Sequence, residues 1–426
     1  MTYINAVKFL NSRAEGVPSP ERMRLLCRYL GDPQRQLRFI HIAGGAGKSS
    51  TATMLSVILA ESGYKIGRLT TSMVREDREL ISLSNSPISH KDFAKYVEQV
   101  VSAAEEMKAD ILSASDSGEP VEDDTSRSNK KPKITKNLLE GRISPDPIRS
   151  EIVTAAAFLA FKENDCNLTL LECGESRADP TSIIDPPLVS VVCGKSFSED
   201  QLRTGVGIIR RGTREVVSSA PMGEAYNAIL DACVRTGARL TVPARGELKL
   251  TRSGLGSRDF EYRGKEYSVP FCAEYQLMNA LTAIETVYAL RRTGTALHSA
   301  DVARGISRAR IPLRFELFAA SPAVIIDGAA TKDESLTLCE SLRAVSHMIG
   351  NRLVLVSDGQ ICLSTEQLEE NGFSVVEEMS PVTEADDKRV AVRLRRLSGD
   401  ETMLILGAVS FTGRIKNAVL RFMAYT

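Results

Sequence analysis

No apolar stretch of this 426-residue chain approaches the roughly 18 residues that span a bilayer. Its start, "MTYINAVKFLNSRAEG", holds no signal-peptide core. Neither membrane insertion nor export is expected, and a cytoplasmic address follows. Charge of one sign is also missing, because 54 Lys and Arg face 54 Asp and Glu. Without a global field, neither nucleic acid nor an anionic membrane is expected as a partner. Histidine is scarce, with four in all and none near a cysteine cluster, so a zinc site is not expected. The eight cysteines contain no CxxC pair and mostly sit in apolar runs, which reads as reduced core residues.

What is present is ordinary for a globular protein: 43% hydrophobic and 25% charged residues, in a length that suits two or three domains. Six apolar runs end at or near glycine and read as buried strands: "RFIHIAG" (38–44), "LTLLECG" (168–174), "LVSVVCG" (188–194), "AVIIDGA" (323–329), "RLVLVSDG" (352–359) and "TMLILGA" (402–408). Helix-period segments such as "STATMLSVILAESG" and "EIVTAAAFLAFKEN" lie between them. Strands alternating with helices predict parallel α/β sheets with ligands at the carboxyl strand ends. One stretch, "SASDSGEPVEDDTSRSNKKPKITKN" (113–137), is nearly free of large apolar residues. It reads as a mobile surface insertion. An Arg-rich stretch, "ADVARGISRARIPLRFE" (300–316), reads as a linker. The expected units are residues 1–308 and a smaller domain, 309–426.

The run "FIHIAGGAGKSSTATMLSVILAESG" from Phe39 carries the clearest chemistry. Gly44, Gly45 and Gly47 can take positive φ and let backbone N–H groups approach an anion. Lys48 follows, and Ser49, Ser50 and Thr51 open a helix whose N-terminal dipole favours phosphate. The longer phosphate-loop pattern needs glycine at position 42, where this chain has Ile42, so the loop is the shorter Gly-x-x-Gly-Lys form.

With this run on view, the chain resembles the Mur ligase superfamily, and most of all folylpolyglutamate synthase/dihydrofolate synthase, which typically reads His-Val-Ala-Gly-Thr-Asn-Gly-Lys-Gly-Ser-Thr here. "SPERMRLLCRYLGDPQRQLRFIH", "SPISHKDFAKYVEQV", "EIVTAAAFLAFKENDCNLTLLECG" and "RFELFAASPAVIIDGA" are similar to further stretches of that family. The resemblance implies an N-terminal phosphate-loop ATPase-like parallel-sheet domain and a smaller C-terminal Rossmann-like α/β domain. It implies a ligase that uses ATP and magnesium to phosphorylate a carboxylate, after which an amine such as that of glutamate attacks. Two magnesium ions organise the phosphates, and a carbamylated lysine helps hold the second. Carried over by position, Lys48 is the phosphate-binding lysine, Ser50 and Glu172 are ligands of the first magnesium, and Gln276 and Asn279 open a helix near the base. Arg314 and Asp327 approach the phosphates from the C-terminal domain.

The same comparison marks departures. Gly45 and Ala46 replace Thr-Asn, and "SMVRED" from Ser72 replaces Ser-Pro-His-Leu. After "LVSVVCG" the chain runs "KSFSEDQLRTGVGIIRRG", without the family's Asp-His pair. Gly205 stands where the carbamylated lysine belongs, and Ala330 replaces a histidine. Glu175, Glu199 and Asp200 are the nearby candidates for replacement ligands. Two readings follow. One is an ATP-dependent amide ligase acting on small-molecule carboxylate and amino-acid substrates. The other is a degenerate homologue that binds nucleotide and serves a protein partner.

Overall fold

In the computed structural model, residues 1–13, 16–117, 134–174, 178–329, 332–359 and 363–424 are described. Helices α1 (Tyr3–Ser12) and α2 (Pro20–Tyr29) precede β1 (Phe39–Gly44), which feeds α3 (Lys48–Glu61). Strands β2 (Ile66–Leu69), β3 (Ile81–Leu83) and β4 (Ser86–Pro87) follow, then α4 (His90–Ser117), α5 (Lys136–Leu139) and α6 (Arg149–Glu163). Next come β5 (Leu168–Glu172), β6 (Val189–Cys193), α7 (Glu199–Gly207), β7 (Glu215–Ser218), α8 (Glu224–Thr236) and β8 (Arg239–Thr241). A three-stranded antiparallel sheet, β9 (Leu248–Ser253), β10 (Arg258–Tyr262) and β11 (Lys265–Val269), leads into α9 (Glu274–Arg292) and α10 (Ser299–Arg308). The C-terminal part holds β12 (Glu316–Ala320), β13 (Ala323–Asp327), α11 (Lys332–Val345), β14 (Arg352–Ser357), α12 (Thr365–Glu370), β15 (Ser374–Met379), α13 (Glu384–Leu394), β16 (Glu401–Leu406) and α14 (Val409–Ala424).

The first sheet has the order β4-β3-β2-β5-β1-β6-β7-β8 and is parallel from β2 through β8. β1 sits between β5 and β6, so the chain leaves it toward both halves of the sheet. Such a switch point opens a crevice at the carboxyl ends of the strands. Every residue of β1, β5 and β6 is buried, as continuous apolar strands covered on both faces require. The second sheet, β12-β13-β16-β14-β15, is parallel except for β12. All six apolar runs read from the sequence are strands here, and the architecture is the expected two-domain α/β fold. Among the described residues no helix is long and apolar enough to cross a membrane.

Two readings change. The Arg-rich stretch is no linker over its first half, because α10 buries Val302, Gly305 and Ile306. A Cβ on Gly305 would stand 2.5 Å from Ile58 Cα, so the helix backbone lies directly on α3. Its arginines face outward: Arg304 and Arg308 both pair with Glu61. The expected insertion 113–137 is also narrower than its composition suggested. α4 continues to Ser117, and Ile134 is buried in the core. Residues 118–133 lie outside the described residues.

Candidate active site

The turn after β1 is shaped by what presses on it. A Cβ on Gly44 (φ +109°) would fall 2.1 Å from the Cys193 carbonyl oxygen. One on Gly45 would fall 2.8 Å from the Ser196 carbonyl oxygen, and one on Gly47 (φ +96°) 2.4 Å from Asn279 Oδ1. The end of β6, the turn that follows it and the start of α9 thus hold the loop, and no side chain fits at these three positions. Gly47 caps α3 without a side-chain acceptor, which leaves the first N–H groups of the helix for an anion. Lys48 Nζ curls over the loop and donates to the Gly44 and Gly45 carbonyls at 2.7 and 3.1 Å.

Glu172 ends β5 beside this loop and is buried. Its Oε2 accepts from Ser49 Oγ at 2.7 Å and from Thr70 Oγ1 at 3.1 Å. Its Oε1 is buried with no hydrogen-bond partner among the described residues. The hydroxyl that touches Glu172 is therefore Ser49, while Ser50 Oγ accepts from Gln276 Nε2 at 3.3 Å. Asn279 Nδ2 in turn donates to Gln276 Oε1 at 3.0 Å. Gln276 is fully buried and supports Ser50 from behind, whereas Asn279 lines the cleft. Thr51 does not join the site. It turns to the buried face of α3, beside Cys193.

The second sheet supplies the opposite wall. Arg314 stands between Leu313 (φ +58°) and Phe315 (φ +51°), a left-handed residue on either side of it. Its Nη1 donates to Glu334 Oε1 at 3.0 Å and to the Gly328 carbonyl at 3.3 Å. Asp327, at the end of β13, accepts on Oδ2 from Tyr275 O–H at 2.8 Å and from Phe315 N–H at 2.7 Å. Burial raises the Asp327 pKa above the usual carboxylate range, against the pull of Arg314. Burial also pushes the Tyr275 phenol well up, with Asp327 adding to it. The first turn of α9 thus reaches the loop through Gln276 and the second sheet through Tyr275.

Between these walls lies a cleft of about 420 Å³. The structure brings Gly45, Gly47, Lys48, Ser49, Ser50, Asn279, Arg314 and Asp327 to its surface. It adds residues that no motif had singled out: Thr71, Lys195, Arg245, Tyr275, Glu334 and Glu340. Ser72, already noted in "SMVRED", also lines it. Of the proposed replacement ligands, Glu199 and Asp200 turn to Arg203 on an exposed helix face and do not line the cleft. Gly205 is closed to any longer side chain, since its Cβ would stand 2.8 Å from Val192 Cγ1. Glu175 and Ala330 lie outside the described residues. Among the described residues no three His, Cys, Asp or Glu side chains group to hold a metal.

Below the cleft, His41 is fully buried in β1, with Nε2 2.8 Å from Thr181 Oγ1 and 2.9 Å from Cys173 Sγ. Burial pushes its pKa down to about 3, and Arg210 acts in the same direction.

A two-domain α/β architecture with a phosphate loop, a strand-end carboxylate and an arginine from the second sheet around one cleft defines the class. In sequence the chain is similar to folylpolyglutamate and dihydrofolate synthases, and in fold to solved structures of folylpolyglutamate synthase. It is 25% identical over 360 residues to the folylpolyglutamate synthase of Lacticaseibacillus casei, covering 78% of this chain and 74% of that one. It is 25% identical over 361 residues to the dihydrofolate synthase/folylpolyglutamate synthase of Bacillus subtilis, covering 80% and 76%. The Mycobacterium tuberculosis folylpolyglutamate synthase complexed with ADP superposes with a TM-score of 0.74 at 21% identity, over 98% of both chains. An FPGS–AMPPCP–folate complex superposes with a TM-score of 0.76 at 20% identity, over 99% of this chain and 100% of that one. No protein-family model matches the chain.

Proposed function

We propose that this chain is an ATP-dependent ligase of the folylpolyglutamate-synthase type, joining a small-molecule carboxylate to an amine such as that of glutamate. Residues 1–308 form its nucleotide-binding unit and 309–426 its C-terminal unit. The observation that carries the reading is one cleft in which the phosphate loop faces Arg314 and Asp327, with Glu172 buried behind Ser49 of that loop. Relatives with that activity in their names, and fold neighbours that hold ADP or AMPPCP with folate, support it.

In such a reaction a carboxylate oxygen takes the γ-phosphoryl group of ATP, releasing ADP. The amine nitrogen then attacks the acyl carbon of the acyl phosphate, inorganic phosphate leaves, and the amine loses its proton. Phosphoryl transfer asks mainly for positioning and charge neutralisation. The free N–H groups of α3 receive phosphate oxygens, and Lys48 exchanges the Gly44 and Gly45 carbonyls for them. Arg314 leaves Glu334 to meet the same group from the other wall. The unpartnered Glu172 Oε1 and the Ser50 hydroxyl suit one magnesium ion, as hard oxygen donors. When bound, that ion neutralises phosphate charge. The positions expected to hold a second ion do not supply one: Gly205 is closed by Val192, and Glu199 and Asp200 turn to Arg203.

Calorimetry with AMPPCP and magnesium tests the reading on wild type and Lys48→Ala. Saturable binding by wild type, weakened roughly 10–100-fold in the variant, is expected for a lost charge-assisted contact. Equal or absent binding in both removes the idea. The second reading, a homologue that binds nucleotide without turnover, draws on the closed position at Gly205. Glutamate-dependent phosphate release with reduced folates as acceptors decides between them, and turnover near ~1 s⁻¹ is ordinary for an enzyme.

A further inference from the structure

We propose, resting on the ligase reading, that the cleft works with one divalent cation and that the Lys195 ammonium supplies the charge a second would bring. Lys195 lies two residues beyond the end of β6, after Gly194, and the backbone around it lies on the phosphate loop. Gly45 N–H donates to the Cys193 carbonyl at 2.8 Å, and a Cβ on Gly45 would be 2.8 Å from the Ser196 carbonyl oxygen. Gly194 N–H is held by Ser219 Oγ at 3.0 Å. The base of Lys195 is therefore fixed between two residues that touch the loop and the next strand, while its side chain stays free to move, 60% exposed.

Nζ now pairs with Glu340, from α11 on the opposite wall, at 3.1 and 3.2 Å. Glu340 is itself half exposed. An ion pair of that kind contributes roughly 0–1 kcal/mol. A triphosphate entering the cleft is a stronger partner, with several negative oxygens for Lys48 and Arg314 on two sides, and Arg245 also lines the cleft. Lys195 then faces the phosphates from a third side.

The charge arithmetic fits the departures. In the resembled family a carbamylated lysine, of charge −1, helps hold a cation of charge +2, and together they add +1. Here the lysine position is glycine, sealed by Val192, and the acidic residues of α7 turn to Arg203. Losing that pair takes a net +1 from the cleft, and the Lys195 ammonium is a +1 charge on its wall.

The test uses the full chain, AMPPCP as the nucleotide and Mn²⁺ in place of magnesium, with bound Mn²⁺ counted by electron paramagnetic resonance and nucleotide affinity by calorimetry. One Mn²⁺ per chain is expected in the presence of AMPPCP. Lys195→Ala should weaken AMPPCP by about tenfold, the loss of one charge-assisted contact, with AMP binding little changed. Lys195→Arg should restore most of it. Glu340→Gln removes the pair but keeps the cation, and should tighten AMPPCP. Two Mn²⁺ per wild-type chain, or full affinity in Lys195→Ala, overturns the assignment while leaving the ligase reading intact. Weakening by Glu340→Gln equal to that of Lys195→Ala overturns it too, since the ion pair would then be the working element. A wild type that binds no AMPPCP at all overturns both.

Discussion

Ser49 shows how much one side chain can decide. It stands where the resembled family has glycine, and its hydroxyl takes one oxygen of Glu172 while Thr70 shares it. The other oxygen is left facing no partner among the described residues. Ser49→Ala is expected to free the carboxylate to turn, raising the magnesium concentration needed for half-maximal AMPPCP binding severalfold. Nucleotide affinity without metal should not change. His41 makes a second residue-level prediction. In the folded chain it stays neutral down to about pH 3, while an exposed imidazole protonates near ~6.5. Between those values the unfolded chain holds more protons, so stability rises with pH through the window and falls as pH drops. The slope from this group reaches about 1.4 kcal/mol per pH unit. The urea midpoint should drop between about pH 7 and 5 in wild type, and less in His41→Gln. An unchanged slope in the variant would assign the proton uptake elsewhere. Gly44, Gly45, Gly47 and Lys48 could be read from the sequence because their chemistry is local, a few residues in fixed order. Lys195, Arg245, Thr71 and Tyr275 could not, because they belong to no spacing and reach the cleft only through the sheet order and the join of two sheets.

At the scale of elements, the apolar strands were legible and the polar ones were not. β13, "AVIID", is buried throughout, whereas β9, "LKLTRS", exposes nearly every side chain and gave no signal. α10 went unrecognised for a related reason. It buries Val302, Gly305 and Ile306, and Gly305 contributes by having no side chain. Contact between α10 and α3 therefore depends on an absence. Gly305→Ala would drive a methyl group against the Ile58 backbone, where nothing flexible can yield. A loss of roughly 1–3 kcal/mol is expected, as for overpacking in a core. Urea unfolding would show it as a lower midpoint with an unchanged slope. A neutral result would mean that α10 slides freely on α3.

For the whole molecule, the join between the sheets runs through the first turn of α9. Tyr275 holds Asp327 on one side while Gln276, one residue on, holds Ser50 on the other. Tyr275→Phe leaves Asp327 Oδ2 with only the Phe315 N–H, a loss of about 1–3 kcal/mol for a buried group that loses a partner. Calorimetry should then resolve two melting transitions where wild type has one, since the sheets would lose a shared tie. A single transition at the wild-type temperature would show that the tie is dispensable. The central place of β1 has a different consequence, one of timing. Phe39 pairs with Thr169 and Ile40 with Val189, so neither neighbour of β1 exists when β1 leaves the ribosome. Synthesis adds ~5–20 residues per second, which leaves the strand waiting on the order of ten seconds with both edges open. A nascent chain in that interval displays a largely apolar ribbon with free N–H and C=O groups, the kind of surface that holding chaperones cover. The distance in sequence that builds the crevice also makes the sheet slow to close on refolding.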